Sequence, residues 1–122
     1  MILGIVGSRR RNNKKDYELI RDKVIELKPD KIVSGGCKTG ADDFAEEIAA
    51  EFNIPIDIHL PKLPLKGSPY KEFVDAYHER NKIVASAINK LIAVVSKDRT
   101  GGTENTIKHF LQLNDKSNLI LL

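Results

Sequence analysis

Short apolar runs, each closed by a glycine-containing turn and followed by a stretch with helical spacing, constrain the fold of this chain more than any other feature. The runs are Ile2 to Val6, Lys31 to Ser34 and Leu91 to Val95. The turns after them read Gly7-Ser8-Arg9, Gly35-Gly36-Cys37-Lys38-Thr39-Gly40 and Thr100-Gly101-Gly102-Thr103. A run that is apolar throughout, rather than at every second position, suits a strand covered on both faces. Such strands alternating with helices predict an α/β protein: one doubly wound parallel sheet of about five strands with helices on both faces.

The remaining segments complete that pattern. Met1 to Gly7 reads as the first strand. Asp16 to Leu27 reads as a helix with Tyr17, Leu19, Ile20, Val24 and Leu27 on its apolar face, ended by Pro29-Asp30. Lys31 to Ser34 is the second strand, and Ala41 to Phe52 the second helix, with Phe44, Ala45, Ile48, Ala49 and Phe52 inward. Ile54 to Leu60 alternates like an edge strand. Pro61 to Pro69, with three prolines and a glycine, is a loop of the kind that covers sites. Tyr70 to Ile88 is a long helix, Lys90 to Val95 a strand, Thr103 to Leu113 a helix and Asn118 to Leu122 a last strand. No repeat or linker divides residues 1–122, which form a single domain. At 122 residues the chain can bury a real core.

In sheets of this type ligands bind beyond the strand C-termini, where the strand order reverses. With the order 3-2-1-4-5 the reversal falls between the first and fourth strands. The Gly7 and Gly101 turns then flank it, and the Gly35 turn lies next to it. A glycine turn that opens a helix lets backbone N–H groups approach an anion at the positive end of the helix dipole. Arg9 and the Ser and Thr hydroxyls add donors, so the expected ligand is a nucleotide or another phosphorylated small molecule.

Two common explanations for such turns fail on particular residues. A dinucleotide fingerprint requires Gly-x-Gly-x-x-Gly after the first strand, where this chain has Gly7-Ser8-Arg9 alone. Gly35 to Gly40 has the glycine spacing of an ATPase phosphate loop. However, Ala41 and Asp42 stand where the lysine and the magnesium-binding hydroxyl belong. The bland alternative is a tight turn with a helix cap.

Charge and cysteine content exclude less. Of the seven residues Arg9 to Lys15, five are basic, in a chain of net charge +3. That run is either a solvated loop or a basic lip attracting phosphate or nucleic acid. No aromatic residue interleaves with it to stack on bases. The single Cys37 fits a reducing compartment, and no apolar run nears the roughly 20 residues of a membrane span, so a cytoplasmic protein is expected. His59, His78 and His109 form no metal-ligand spacing, and no metal or resident cofactor is called for.

The long helix carries a second signal. Phe73, Val74, Tyr77, Val84, Ala85 and Ile88 form an apolar stripe interrupted by Asn81, with Arg80 beside it. A buried Asn needs hydrogen-bond partners and a half-buried Arg needs an anion. Either neighbouring backbone and a carboxylate satisfy them, or both residues lie under the ligand.

Taken together, Gly7-Ser8-Arg9, Ser34-Gly35-Gly36 with Gly40-Ala41-Asp42, His78-Glu79-Arg80-Asn81 and Gly101-Gly102-Thr103 resemble, in order and spacing, the SLOG superfamily. That group includes DprA, the LOG phosphoribohydrolases and proteins assigned as molybdenum-cofactor carriers. The likeness is greatest to its small YspA/YpsA-related branch and spans nearly the whole chain. It implies a Rossmann-like fold, a nucleotide-derived ligand with its phosphate on Gly101-Gly102-Thr103, and contact with Arg80. LOG enzymes cleave N-glycosidic bonds with an arginine and the glutamate of Pro-Gly-Gly-x-Gly-Thr-x-x-Glu. Here Thr100 replaces the proline, Glu104 and Asn105 replace Gly and Thr, and Lys108 replaces the glutamate.

The expected activity is therefore binding of a nucleotide-derived ligand, as sensor or carrier. The contacts assigned to it are Gly7, Ser8, Arg9, Gly35, Gly36, Thr39, Gly40, Asp42, Arg80, Asn81, Gly101, Gly102 and Thr103. A second reading makes the chain a nucleoside-monophosphate N-glycosidase using Arg80, with Glu104, Asp98 or Asp42 as its acid. A third, by analogy with DprA, is single-stranded DNA binding through the Arg9 to Lys15 run. Because no helix follows Leu119-Ile120-Leu121-Leu122, a partner subunit is expected to cover that strand, giving a homodimer or higher oligomer.

Overall fold

The structure is a computed structural model and describes all residues, Met1–Leu122. Five parallel strands form one sheet: β1 (Ile2–Gly7), β2 (Lys31–Ser34), β3 (Ile56–Ile58), β4 (Lys90–Val94) and β5 (Leu119–Leu121). Their order is β3-β2-β1-β4-β5, as expected from the sequence. Four helices connect them: α1 (Lys14–Leu27), α2 (Ala41–Glu51), α3 (Tyr70–Ser86) and α4 (Gly102–Leu113). A short 3-10 turn, Lys116–Asn118, leads into β5. No helix is long and apolar enough to cross a membrane.

Each central strand divides its side chains between two cores. Leu3 and Ile5 of β1, Ile32 of β2, and Ile92 and Val94 of β4 pack under α1 and α2 with Ile20, Val24, Ala45 and Ile48. Val6, Val33, Leu91 and Ala93 point to the other face, beneath Val84, Ala85 and Ile88 of α3 and its border and Ile107 and Phe110 of α4. Both faces are therefore dry, which is why the strands lack a polar alternation.

Local chemistry moves several boundaries. α1 begins at Lys14, two residues before the expected Asp16, because Asn13 caps it. The Asn13 side chain accepts from the Asp16 N–H at 2.9 Å while Asp16 reaches back to the Asn13 N–H, a reciprocal capping box. The ladder of β3 covers only Ile56–Ile58 rather than Ile54 to Leu60. Only β2 pairs with it, and Pro55 has no N–H to give. Two residues expected inward sit half out: Leu19 on α1 is 36% exposed and Phe52, the cap of α2, 37%. On α3 the C-terminal half is buried, whereas Phe73, Val74 and Tyr77 are only half-buried. The N-terminal half of this helix instead forms one wall of a cleft.

Candidate functional site

The cleft, about 620 Å³, opens at the C-terminal ends of the paired strands β1 and β4, where the strand order reverses. Three loops and one helix enclose it: the segments after β1, β2 and β4, and the N-terminal half of α3. That is the switch-point position expected for ligand binding in a doubly wound sheet.

The β1 loop is a rigid turn. The Ser8 N–H donates to the Val94 carbonyl at 2.9 Å, and Ser8 in turn accepts from the Arg11 N–H at 3.0 Å and, at its hydroxyl, from the Arg10 N–H at 3.2 Å. The adjacent basic run is neither a uniform lip nor a merely solvated loop. Arg10 forks onto Asp98 at 2.9 and 2.8 Å, tying the β1 loop to the β4 loop. Arg10, followed by the hydroxyls of Thr100 and Ser96, holds the Asp98 carboxyl well below the usual carboxylate range. Arg11 is turned inward onto buried Asp16 at 2.8 Å and onto the carbonyls of Val95 and Leu122. Arg9 lines the cleft, exposed and in no ion pair. Of the three consecutive arginines, it alone is free to meet a ligand.

The β2 loop divides in the same way. Gly36 and Gly40 both have φ of +75°, so their glycines are backbone requirements. A Cβ at Gly36 would also meet Leu60 at 2.5 Å and Ile58 at 2.7 Å. Gly40 donates to the Asn12 side chain at 2.9 Å and caps α2. The Thr39 hydroxyl has only the Cys37 sulfur nearby, at 3.7 Å. None of these three residues, expected as ligand contacts, lines the cleft. Gly35 does line it, and for a different reason. A Cβ there would lie 2.7 Å from the Arg80 guanidinium, which donates to the Gly35 carbonyl at 2.5 Å. Asp42, on the first turn of α2, is buried against the cleft floor and accepts from the Cys37 N–H at 3.0 Å. Burial pushes its carboxyl up, against the opposing pull of the Cys37 N–H, the Arg80 charge, and the Gly35 and Ser34 donors.

Arg80 and Asn81 connect the loops. The Asn81 side chain accepts from Arg80 Nε at 3.0 Å and donates to the Gly102 carbonyl at 3.3 Å and to Asn105 at 3.2 Å. A polar chain therefore runs from Gly35 through Arg80 and Asn81 to the start of α4. Neighbouring backbone satisfies Asn81, and both residues line the cleft. Arg80, by contrast, forms no carboxylate ion pair within 4.0 Å.

The N-terminus of α4 is the fourth wall. No side chain caps it. Gly101 has φ of +101° and ψ of −170°, a conformation open to glycine and little else. Gly102 is under neither constraint: its φ is outside the left-handed region, and a Cβ would meet nothing nearer than the Asn81 amide at 3.8 Å. Both line the cleft with buried Thr103. Glu104 does not. Its carboxylate is clamped outward by Arg99 at 2.8 and 2.9 Å.

The cleft thus assembles Gly7, Ser8, Arg9, Gly35, Asp42, Arg80, Asn81, Gly101, Gly102 and Thr103 from the expected set, leaving out Gly36, Thr39, Gly40 and Glu104. Sequence reasoning missed Tyr70, His78 and Thr106 as cleft residues and read Val74 and Tyr77 only as an apolar stripe. Tyr70 was legible as Asn81 minus eleven, the same face of α3 three turns back. No cluster of three or more His, Cys, Asp or Glu side chains is placed to hold a metal ion.

No protein-family model matches the chain, and no curated protein matches it in sequence. Among solved structures, the molybdenum cofactor binding protein from the phototrophic bacterium Rippkaea orientalis is similar in fold. Its TM-score is 0.69 at 16% identity, over 98% of this chain and 74% of that one. At this identity the likeness establishes a shared Rossmann-type α/β architecture.

Proposed function

We propose that the cleft binds a phosphorylated, nucleotide-like small molecule, with the chain acting as its sensor or carrier. The observation that carries this is Gly102. The other cleft glycines are explained by the fold, whereas Gly102 opens an uncapped helix without a positive φ or a close neighbour to require it, its Cβ position meeting only the Asn81 amide at 3.8 Å, at a cost in helix stability relative to Ala. A phosphate seated on the α4 N–H groups supplies the missing reason, with Arg9, Ser8 and Arg80 as further donors. The SLOG resemblance supports the same placement, as does a fold neighbour that binds a molybdenum cofactor.

Calorimetric titration with AMP, GMP, ribose 5-phosphate and inorganic phosphate tests this. Saturable binding of at least one is expected, and heat-free titrations at millimolar concentration throughout would overturn it. A second copy covering the exposed β5 edge belongs to the same proposal, and light scattering that reports a monomer would remove that part.

One observation favours hydrolysis as a second reading. Asp42 is a buried carboxyl in the cleft beside Arg80, held toward its protonated form as a general acid must be. It would take the place of Glu104, which is sequestered by Arg99. If the chain is an N-glycosidase, base release from AMP is lost in Asp42→Asn and unchanged in Glu104→Ala; the reverse pattern, or no release by the wild type, removes the reading. With Arg10 and Arg11 engaged internally, the DNA-binding reading rests on Arg9, Lys14 and Lys15 alone. Salt-insensitive or absent oligonucleotide binding would dismiss it.

A further inference from the structure

The cleft has two chemically different ends. At one lie the donors: Arg80, Asn81 and the α4 N-terminus with Gly102. At the other, α3 presents Tyr70, Val74 and Tyr77, spaced i, i+4 and i+7 so that they share the face that continues to Asn81. All three line the cleft. Tyr70, on the first turn of α3 directly after Pro69, is 82% exposed. Leaving so much apolar area in water beside a cavity costs free energy, and a flat partner laid on the ring would recover it.

Tyr77 joins the two ends. The Arg80 guanidinium carbon lies 5.7 Å from its ring centroid, so the residue expected to meet the phosphate is braced by the aromatic wall. Helical rise places Val74 about 10 Å and Tyr70 about 16 Å along the axis from Asn81. A bare phosphate or a sugar phosphate anchored at α4 would occupy only the near part of that span. A ring attached through the sugar would reach the tyrosines. The 620 Å³ volume is in the range of sites for whole small-molecule ligands rather than for a single anion.

We infer that Tyr70, Val74 and Tyr77 form a stacking subsite for a planar heteroaromatic ring, so that the ligand is a heterocycle carrying a phosphate on a flexible arm. This rests on the phosphate placement proposed above. The subsite sets selectivity for the ring, and the α4 terminus with Arg80 holds the charge.

The test compares AMP, GMP and flavin mononucleotide with ribose 5-phosphate by calorimetry, on the full chain and on Tyr70→Ala and Tyr70→Phe. Because Tyr70 is exposed, its truncation leaves the fold intact, which thermal denaturation checks. At least one ring-bearing ligand is expected to bind about tenfold tighter than ribose 5-phosphate. Tyr70→Ala should lose most of that margin without changing ribose 5-phosphate binding, and Tyr70→Phe should keep it within about twofold. If ribose 5-phosphate binds but no ring improves on it, or if Tyr70→Ala leaves the margin unchanged, the subsite is refuted while the phosphate placement stands. If none of the four binds the wild type, the phosphate placement fails and the subsite with it.

Discussion

Replacing Gly102 with alanine should strengthen the fold and weaken the function, and the two effects can be measured on one sample. Gly102 is the first residue of α4, its φ is outside the left-handed region, and an added Cβ meets only the Asn81 amide at ordinary van der Waals distance, 3.8 Å. Alanine therefore fits without strain and removes conformational freedom from the unfolded chain, which stabilises by about 0.4–1 kcal/mol. For a domain of this size that corresponds to a rise in Tm of roughly 2–5 °C. The same Cβ projects toward Asn81, on the cleft side of the helix terminus, where the phosphate oxygens must approach the N–H groups. Loss of that approach is expected to weaken AMP binding by at least about tenfold, or ~1.4 kcal/mol. Gly101→Ala is the contrasting control. At φ +101° it must destabilise by about 1–3 kcal/mol, although nothing lies within 4 Å of its Cβ position. Differential scanning calorimetry gives Tm, and titration calorimetry the affinity. A Gly102→Ala variant that melts lower than the wild type refutes the conformational argument. One that melts higher and binds AMP unchanged removes the phosphate from α4.

Three further outcomes are expected. Asn81→Ala removes the partner of both Arg80 Nε and the Asn105 side chain, while the Gly102 carbonyl keeps the Thr106 hydroxyl at 3.4 Å, and should cost about 1–3 kcal/mol in urea denaturation; an exposed residue on the same helix, such as Lys82, should be near neutral when replaced by Ala. Arg11→Ala leaves buried Asp16 without its guanidinium partner and should cost about 1.5–3 kcal/mol; a loss that vanishes in molar salt would mark the contact as superficial. Asp42 governs a pH dependence. Its pKa is raised in the folded state, so the folded chain holds the proton more tightly than the unfolded one. The stability it contributes is complete below the unfolded value of 3.8 and is lost as pH rises through the folded pKa. Relative to Asp42→Asn, the wild type should therefore lose Tm as pH rises from 3.5 toward neutrality, and a difference that stays constant or grows the other way contradicts the burial argument.

The strand order, both helical layers and the location of the cleft were legible because their causes are local. Apolar runs, helical periodicity and breakers such as Pro29-Asp30 act over a few residues, and a parallel sheet follows from their alternation. Boundaries shifted where a nearby cap or proline decided them, as at Asn13 and Pro55. What each glycine and each arginine is for was not legible. Gly7, Gly35 and Gly102 look alike in sequence, yet Gly35 is required by a guanidinium 45 positions away while Gly102 is required by nothing in the chain. Arg9, Arg10 and Arg11 are adjacent, yet Arg9 lines the cleft unpaired, Arg10 lines it with its guanidinium clamped on Asp98, and Arg11 closes over Asp16. Glu104 and Asp42 are likewise placed differently: Arg99 engages the first away from the cleft lining, and the second is buried within it. The sequence by itself determined where backbone can bend and which segments must be dry, because those demands arise from each residue and its near neighbours. Only the tertiary structure decided which polar groups were already satisfied, because a hydrogen bond or a steric clash depends on atoms that distant parts of the chain bring together. By that distinction the proposed site rests on Gly102, Arg9 and Arg80.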